Sequence, residues 1–188
     1  PIKELMPSFK FKRKGKGKKY NYNNLVSYLI LNYISFKTGD EFEKVLHKVF
    51  NEKAKIENSV YFFKMMKPEE FGNKSAQFFA SRYDYLRIAK AIMDDYQNQT
   101  CEGKYLKEIY DRRIPKEVNM SGDGKRGEPQ FNRTYSYGGQ FHFDYPGIRD
   151  KIVFGLGGYG GKAILIDVED SRIVVVNTIH FNHDRYKY

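Results

Sequence analysis

The chain has 188 residues, 40% of them hydrophobic, a formal net charge of +10 and a single cysteine, Cys101. That length supports one domain with its own core. One cysteine excludes an internal disulfide and a cysteine-built metal cluster, and no apolar run reaches the ~18 residues that a membrane-spanning helix needs.

Lys10, Lys12, Arg13, Lys14, Lys16, Lys18 and Lys19 crowd the start of the chain, with Gly15 and Gly17 between them. Blocks of like charge are solvated loops more often than nucleic-acid patches. Residues 1–22 therefore read as a lead-in and basic loop, and no nucleic-acid partner is expected. Asn23 to Phe36 is apolar almost all round, through Leu25, Val26, Leu29, Ile30, Leu31 and Ile34, which predicts a buried helix. Gly39 stops it. Asp40, with Glu43 three residues on, has the pattern of a capping box. Phe42, Val45, Leu46, Val49 and Phe50 then follow the spacing of an amphipathic helix.

Residues 53–80 are mixed and read as loop-rich. Ser81 with Asp84 opens another helix, with Tyr85, Ile88, Ala89 and Ile92 on one face. A shorter helix is predicted from Lys104 to Tyr110. Residues 115–133 hold Pro115, Ser121-Gly122-Asp123-Gly124 and Gly127-Glu128-Pro129, the composition of a long surface excursion.

The pattern then turns to β. Tyr135 to Asp144 alternates, with Phe141 and Phe143 on one face and Gln140, His142 and Asp144 on the other. His142 on that polar face could line a cleft or meet water. Lys151–Leu156, Lys162–Val168 and Arg172–Thr178 are further strands, the last two joined by a turn at Glu169-Asp170-Ser171. Val174-Val175-Val176 is apolar on both faces, as a strand covered on both sides would be. Helices over 23–133 followed by antiparallel strands over 134–188 predict an α+β domain: a sheet flanked by helices, not a βαβ fold.

Three motif matches carry no chemistry. Gly155-Leu156-Gly157-Gly158-Tyr159-Gly160 fits the dinucleotide fingerprint, but a strand-like run and not a helix follows it. Lys37-Thr38-Gly39 spells a penicillin-enzyme signature, yet Gly39 as a helix stop explains it. His180 and His183, with Asp184 next to them, have no third ligand at useful spacing, and His-Glu-x-x-His is absent. No cofactor is expected.

Five of the seven residues from 155 to 161 are glycine, just ahead of the apolar run Ala163 to Ile166. Glycine at a strand entrance permits close backbone approach. Several blocks in order resemble the serine hydrolases related to class C β-lactamases and penicillin-binding proteins. That group includes carboxylesterases, D-aminopeptidases and aminohexanoate-oligomer hydrolases. The blocks are Pro1 to Pro7, Tyr22-Asn23-Asn24-Leu25 with Tyr28-Leu29-Ile30, Thr38-Gly39-Asp40-Glu41-Phe42, Ala80 to Leu86, Tyr137-Gly138-Gly139-Gln140-Phe141, and Gly158-Tyr159-Gly160-Gly161-Lys162 with Asp167.

The resemblance implies a β-lactamase/transpeptidase-like fold, here incomplete, and an acyl-enzyme mechanism on a small ester or amide substrate. It would make Tyr22 the proton-transfer tyrosine and Asn24 its orienting amide. Gly158, Tyr159 and Gly160 would line the substrate as the third motif, and the Gly161 N–H would donate to the oxyanion. A tyrosine is a poor base at neutral pH unless a neighbouring cation lowers its pKa, and a backbone N–H on a rigid strand suits an oxyanion hole. Periplasmic or secreted localisation is implied by the resemblance alone.

The sequence also departs from that group. No Ser-x-x-Lys or Thr-x-x-Lys occurs in the 188 residues, and Lys19 runs straight into Tyr20 where the group carries a further histidine-containing stretch. The nucleophile is therefore expected outside these residues, and the chain alone is expected to be inactive. Gly158 replaces the lysine or histidine of the third motif, which favours an esterase or amidase over a β-lactamase. The alternative is a non-catalytic binding or scaffold protein on the same fold.

Overall fold

The structure, a computed structural model, describes residues 24–58, 60–64, 76–116, 134–158 and 162–176. Helix α1 spans Asn24–Thr38 and ends at Gly39, whose φ of +52° is the left-handed conformation of a helix stop. A 3₁₀ turn, Gly39–Glu41, leads into α2, Phe42–His47, and then a π-helical turn, Lys48–Lys53. The capping box expected at Asp40 is not formed. Thr38, Glu41 and Phe42 have right-handed helical backbone angles, and neither Thr38 nor Glu41 makes a side-chain cap. An N-cap needs an extended residue before the helix, and neither Thr38 nor Glu41 is extended.

The expectation that α1 is buried is also corrected. Ile30, Tyr33, Ile34 and Phe36 are exposed. All-round apolarity signals a need for cover without naming the partner, and among the described residues none covers that side.

The stretch read as loop contains an antiparallel pair, β1 (Tyr61–Lys64) and β2 (Ala76–Phe79), with Tyr61 opposite Phe79. Its aromatic residues are strand formers, but the lysine- and glutamate-rich span between them hides the pairing. The Phe78 ring stacks on Phe50 at 5.2 Å, and the Phe78 carbonyl accepts from the Tyr85 hydroxyl at 3.1 Å. The hairpin is thereby tied to the π turn and to the following helix.

Helix α3, Arg82–Gln97, starts where Ser81 predicts. The Ser81 hydroxyl accepts from the Asp84 N–H at 3.1 Å. Helix α4, Cys101–Asp111, is longer than the predicted segment because Thr100 caps it, accepting from the Gly103 N–H at 3.1 Å. A Cβ on Gly103 would overlap the Asp95 carbonyl oxygen, so this glycine sets how closely α4 approaches α3. Lys53 pairs with Asp95 and Glu102, both at 2.8 Å, and ties the π turn to both helices.

A six-stranded antiparallel meander follows: β3 (Ile114–Pro115), β4 (Ser136–Gly138), β5 (Phe141–Phe143), β6 (Val153–Gly158), β7 (Lys162–Asp167) and β8 (Arg172–Val176), in that spatial order. The single strand expected over 135–144 is instead the hairpin β4–β5. Gly139 and Gln140 both take positive φ, +52° and +72°, as the two-residue type I′ turn requires. Strand β6 is followed by strand β7, with no helix for a dinucleotide phosphate. The β7–β8 turn falls at the expected residues, and Ser171 there has φ +53°.

The core lies between the sheet and helices α3 and α4. Phe141, Phe143, Phe154, Ile166 and Val168 from the sheet side meet Ala89, Met93 and Leu106 from α3 and α4. Phe154 makes edge-on contacts with Phe141, Phe143 and Tyr96. The domain is α+β. Val174 and Val176 are 50% and 42% exposed, so β8 is not covered on both faces as expected. Among the described residues no helix is long and apolar enough to cross a membrane.

Candidate functional site

Strand alternation divides β5 and β6 between two faces. Phe141, Phe143, Phe154 and Leu156 join the core, which leaves His142, Gly155 and Gly157 on the opposite face. His142 is directly opposite Tyr137 on β4 and Gly155 on β6. The Tyr137 ring meets the imidazole edge-on, with centroids 5.0 Å apart, and the Tyr137 hydroxyl donates to Gln140 Oε1 at 3.1 Å.

Two residues from the ends of the undescribed 117–133 span converge on this imidazole. Lys116 follows β3 and holds its backbone by donating to the Tyr135 carbonyl at 2.7 Å. Lys116 and Thr134 are both buried. Lys116 Nζ donates to Thr134 Oγ1 at 3.2 Å, Thr134 Oγ1 lies 3.2 Å from His142 Nδ1, and Lys116 Nζ lies 3.5 Å from the same nitrogen. An ammonium only donates, so the Thr134 oxygen accepts from Lys116 and its own proton is left for Nδ1. Burial, aided by the Lys116 charge, pushes the His142 pKa down to about 4. The imidazole is therefore neutral at physiological pH.

Tyr145 closes the same face from the other side. Asp144 turns the chain with φ +57°, and its carboxylate is held by Ser136 Oγ and by Arg113 Nε at 3.1 Å. The turn carries the Tyr145 hydroxyl onto Gly155, into the space that a Cβ would occupy. Burial pushes the pKa of that hydroxyl up, so it stays protonated. Gly157 and Gly158, at the end of β6, are exposed.

A second polar cluster is a structural fastening. Asp84 is fully buried, and its carboxylate accepts from the Glu57 N–H at 2.9 Å, the Asn58 side chain at 2.8 Å and Ser81 Oγ at 2.7 Å. Burial alone would raise its pKa, but these hydrogen bonds outweigh it and hold the carboxyl at about 2. Its bonds pin residues 57–58 to the start of α3 and leave the carboxylate no room for a substrate.

Of the residues expected to act, Gly158 is the last residue of β6, paired with Lys162, the first residue of β7. Asn24 is the first residue of α1. Tyr22, Tyr159, Gly160 and Gly161 lie outside the described residues, as do the basic run, His180 and His183. The sequence reading missed Lys116, Thr134 and Tyr145. His142 was visible as a polar-face residue. No local signal separates Lys116 from the other basic residues, because its burial depends on partners far along the chain. Among the described residues no group of three or more histidine, cysteine, aspartate or glutamate side chains could hold a metal. Compared with protein-family models, curated proteins and solved structures, the chain matches none.

Proposed function

We propose that the chain belongs to a serine hydrolase of the β-lactamase-related group, cleaving a small ester or amide through an acyl-enzyme. The attacking serine would come from a Ser-x-x-Lys outside the 188 residues. The observation that carries the reading is the end of β6. Gly157 and Gly158 are exposed at the end of β6, where the resemblance puts the start of the third motif. A backbone edge without side chains is what a substrate carbonyl needs to approach fixed N–H donors. The order of elements, helices and then an antiparallel meander, also supports it. In this reading Gly158, Tyr159 and Gly160 line the acyl group, Gly161 donates to the oxyanion, and Tyr22 with Asn24 transfers the proton.

The test is fluorophosphonate labelling of the full-length protein, with Tyr22→Phe beside it. Labelling at a serine and turnover lost in Tyr22→Phe are expected. Undiminished turnover in that variant removes the base assignment. The lack of any Ser-x-x-Lys in these residues favours a second reading, a binding or scaffold protein that keeps the fold without the chemistry. Full-length protein that takes no label under any condition supports the second reading over the first.

A further inference from the structure

Gly155 and Gly157 sit on the same face of β6, but only one of them is filled. The Tyr145 hydroxyl occupies the Cβ space of Gly155. Among the described residues a Cβ on Gly157 would meet nothing closer than His142 Cδ2 and Nε2, both at 3.9 Å, which is ordinary contact. Gly157 does not have a positive φ. Neither backbone conformation nor packing among the described residues demands glycine there. The bare backbone leaves an open lane beside the imidazole.

The Lys116–Thr134 pair determines which edge of that imidazole faces the lane as a donor. With Nδ1 accepting from Thr134 or Lys116, the proton of the neutral ring resides on Nε2. Nε2 has no hydrogen-bond partner among the described residues. Every fully buried side-chain nitrogen and oxygen there does have one, so solvent reaches Nε2. The site thus offers a fixed N–H donor with a positive charge behind it. An N–H donor of this kind suits an acceptor oxygen.

We infer that His142 Nε2–H, held over the bare backbone of Gly157 by Thr134 and Lys116, is the donor of a small-ligand site that takes an acyl oxygen, a carbonyl or a carboxylate. The site stands whether or not a serine attacks nearby. If the chain is part of an acyl hydrolase, His142 is a binding residue for substrate or product, beyond the tyrosine and glycine roles proposed above.

The test uses the whole chain with ¹⁵N-labelled histidine and backbone. Long-range ¹H–¹⁵N correlation reads the tautomer, and acetate and N-methylacetamide serve as carboxylate and carbonyl probes. The expected result is an Nε2–H tautomer at neutral pH, with probe-induced shifts at His142 Nε2 and the Gly157 amide. Losing one such hydrogen bond weakens the probe about three- to tenfold. His142→Ala loses the response, whereas His142→Gln, whose amide nitrogen can stand in for Nε2, keeps part of it. Gly157→Ala keeps the fold and weakens the probes read at Nε2. Thr134→Val shifts the tautomer balance.

An Nδ1–H tautomer overturns the inference. So do probes that leave Nε2 unmoved up to the highest concentration at which the protein stays folded, and a response undiminished in both His142→Ala and Gly157→Ala. A stronger response to inorganic phosphate than to either probe overturns the ligand class. Failure of serine labelling with these shifts intact removes only the hydrolase proposal.

Discussion

The two faces of the six-stranded sheet are built from alternate residues of the same strands, yet they are organised by different physics. The helix-side face is a closed aromatic and aliphatic core in which Phe143, Phe154 and Ile166 have no exposed surface. The other face carries a neutral imidazole, a buried lysine and threonine, a folded-back tyrosine and two glycines, and it ends at half-exposed Val174 and Val176. One face holds the domain together and the other leaves backbone and polar atoms accessible. A domain that invests its apolar area on one side can keep polar groups in defined positions on the other.

The largest effect that distinguishes the faces is Phe154→Ala. Removing a fully buried ring that touches Phe141, Phe143 and Tyr96 is expected to cost about 3–5 kcal/mol. Val174→Ala on the other side is expected to stay within about 1 kcal/mol. Denaturant unfolding of both variants checks it, and equal costs would mean that the second face is packed as tightly as the first.

The helix-side face is legible in the sequence. Ala89 at helical spacing, and Phe141 and Phe143 at strand spacing, have periodic signals, and Ser81 with Asp84 marks a helix start by local hydrogen bonding. The second face is not. Lys116 and Thr134 are 18 residues apart and meet only because β3 pairs with β4, and sequence periodicity does not record such pairings. The Gly139-Gln140 turn carries little local signal, because Gln is an unusual occupant of a positive-φ position. The exposed side of helix α1 is not legible for another reason: hydrophobic content alone does not say which side is covered.

The next effect in size is the pH response of the second face. His142 has a folded pKa of about 4 against an ordinary 6.5. Between those values the unfolded chain binds a proton that the folded chain does not. Stability is therefore unaffected by His142 above pH 6.5 and falls as pH drops from 6.5 toward 4. The total loss is about 3 kcal/mol. Among the described residues the charged group that acts on the ring is Lys116, which repels its protonated form. Because carboxylates also titrate near the lower end, the measurement is the difference between the parent and His142→Gln. The variant should show a flatter stability profile across this window. Parallel profiles would place the imidazole in water rather than against Lys116.

Gly155→Ala tests the Tyr145 side of the same face. Its methyl would overlap the hydroxyl and approach Cζ to 2.6 Å, so the ring must move. Overpacking of this kind costs about 1–3 kcal/mol. Tyr145→Phe removes the overlapping oxygen, so the double variant should recover part of the loss, a non-additivity that a double-mutant cycle reads. Strict additivity would show that the hydroxyl does not occupy that space.

The smallest effect is the most discriminating. Gly157→Ala, two residues along the same strand, meets His142 only at 3.9 Å and needs no unusual backbone angle. Replacing such a glycine restricts the unfolded chain, so stability should be unchanged or raised by up to about 1 kcal/mol. Adjacent glycines on one face would then differ in sign: one retained because a tyrosine fills its space, the other despite its thermodynamic cost. If Gly157→Ala destabilises as much as Gly155→Ala, both glycines serve packing and the lane beside His142 is a by-product of the fold. If it stabilises, bareness at that position has been kept against stability, which is the mark of a surface left open for a ligand.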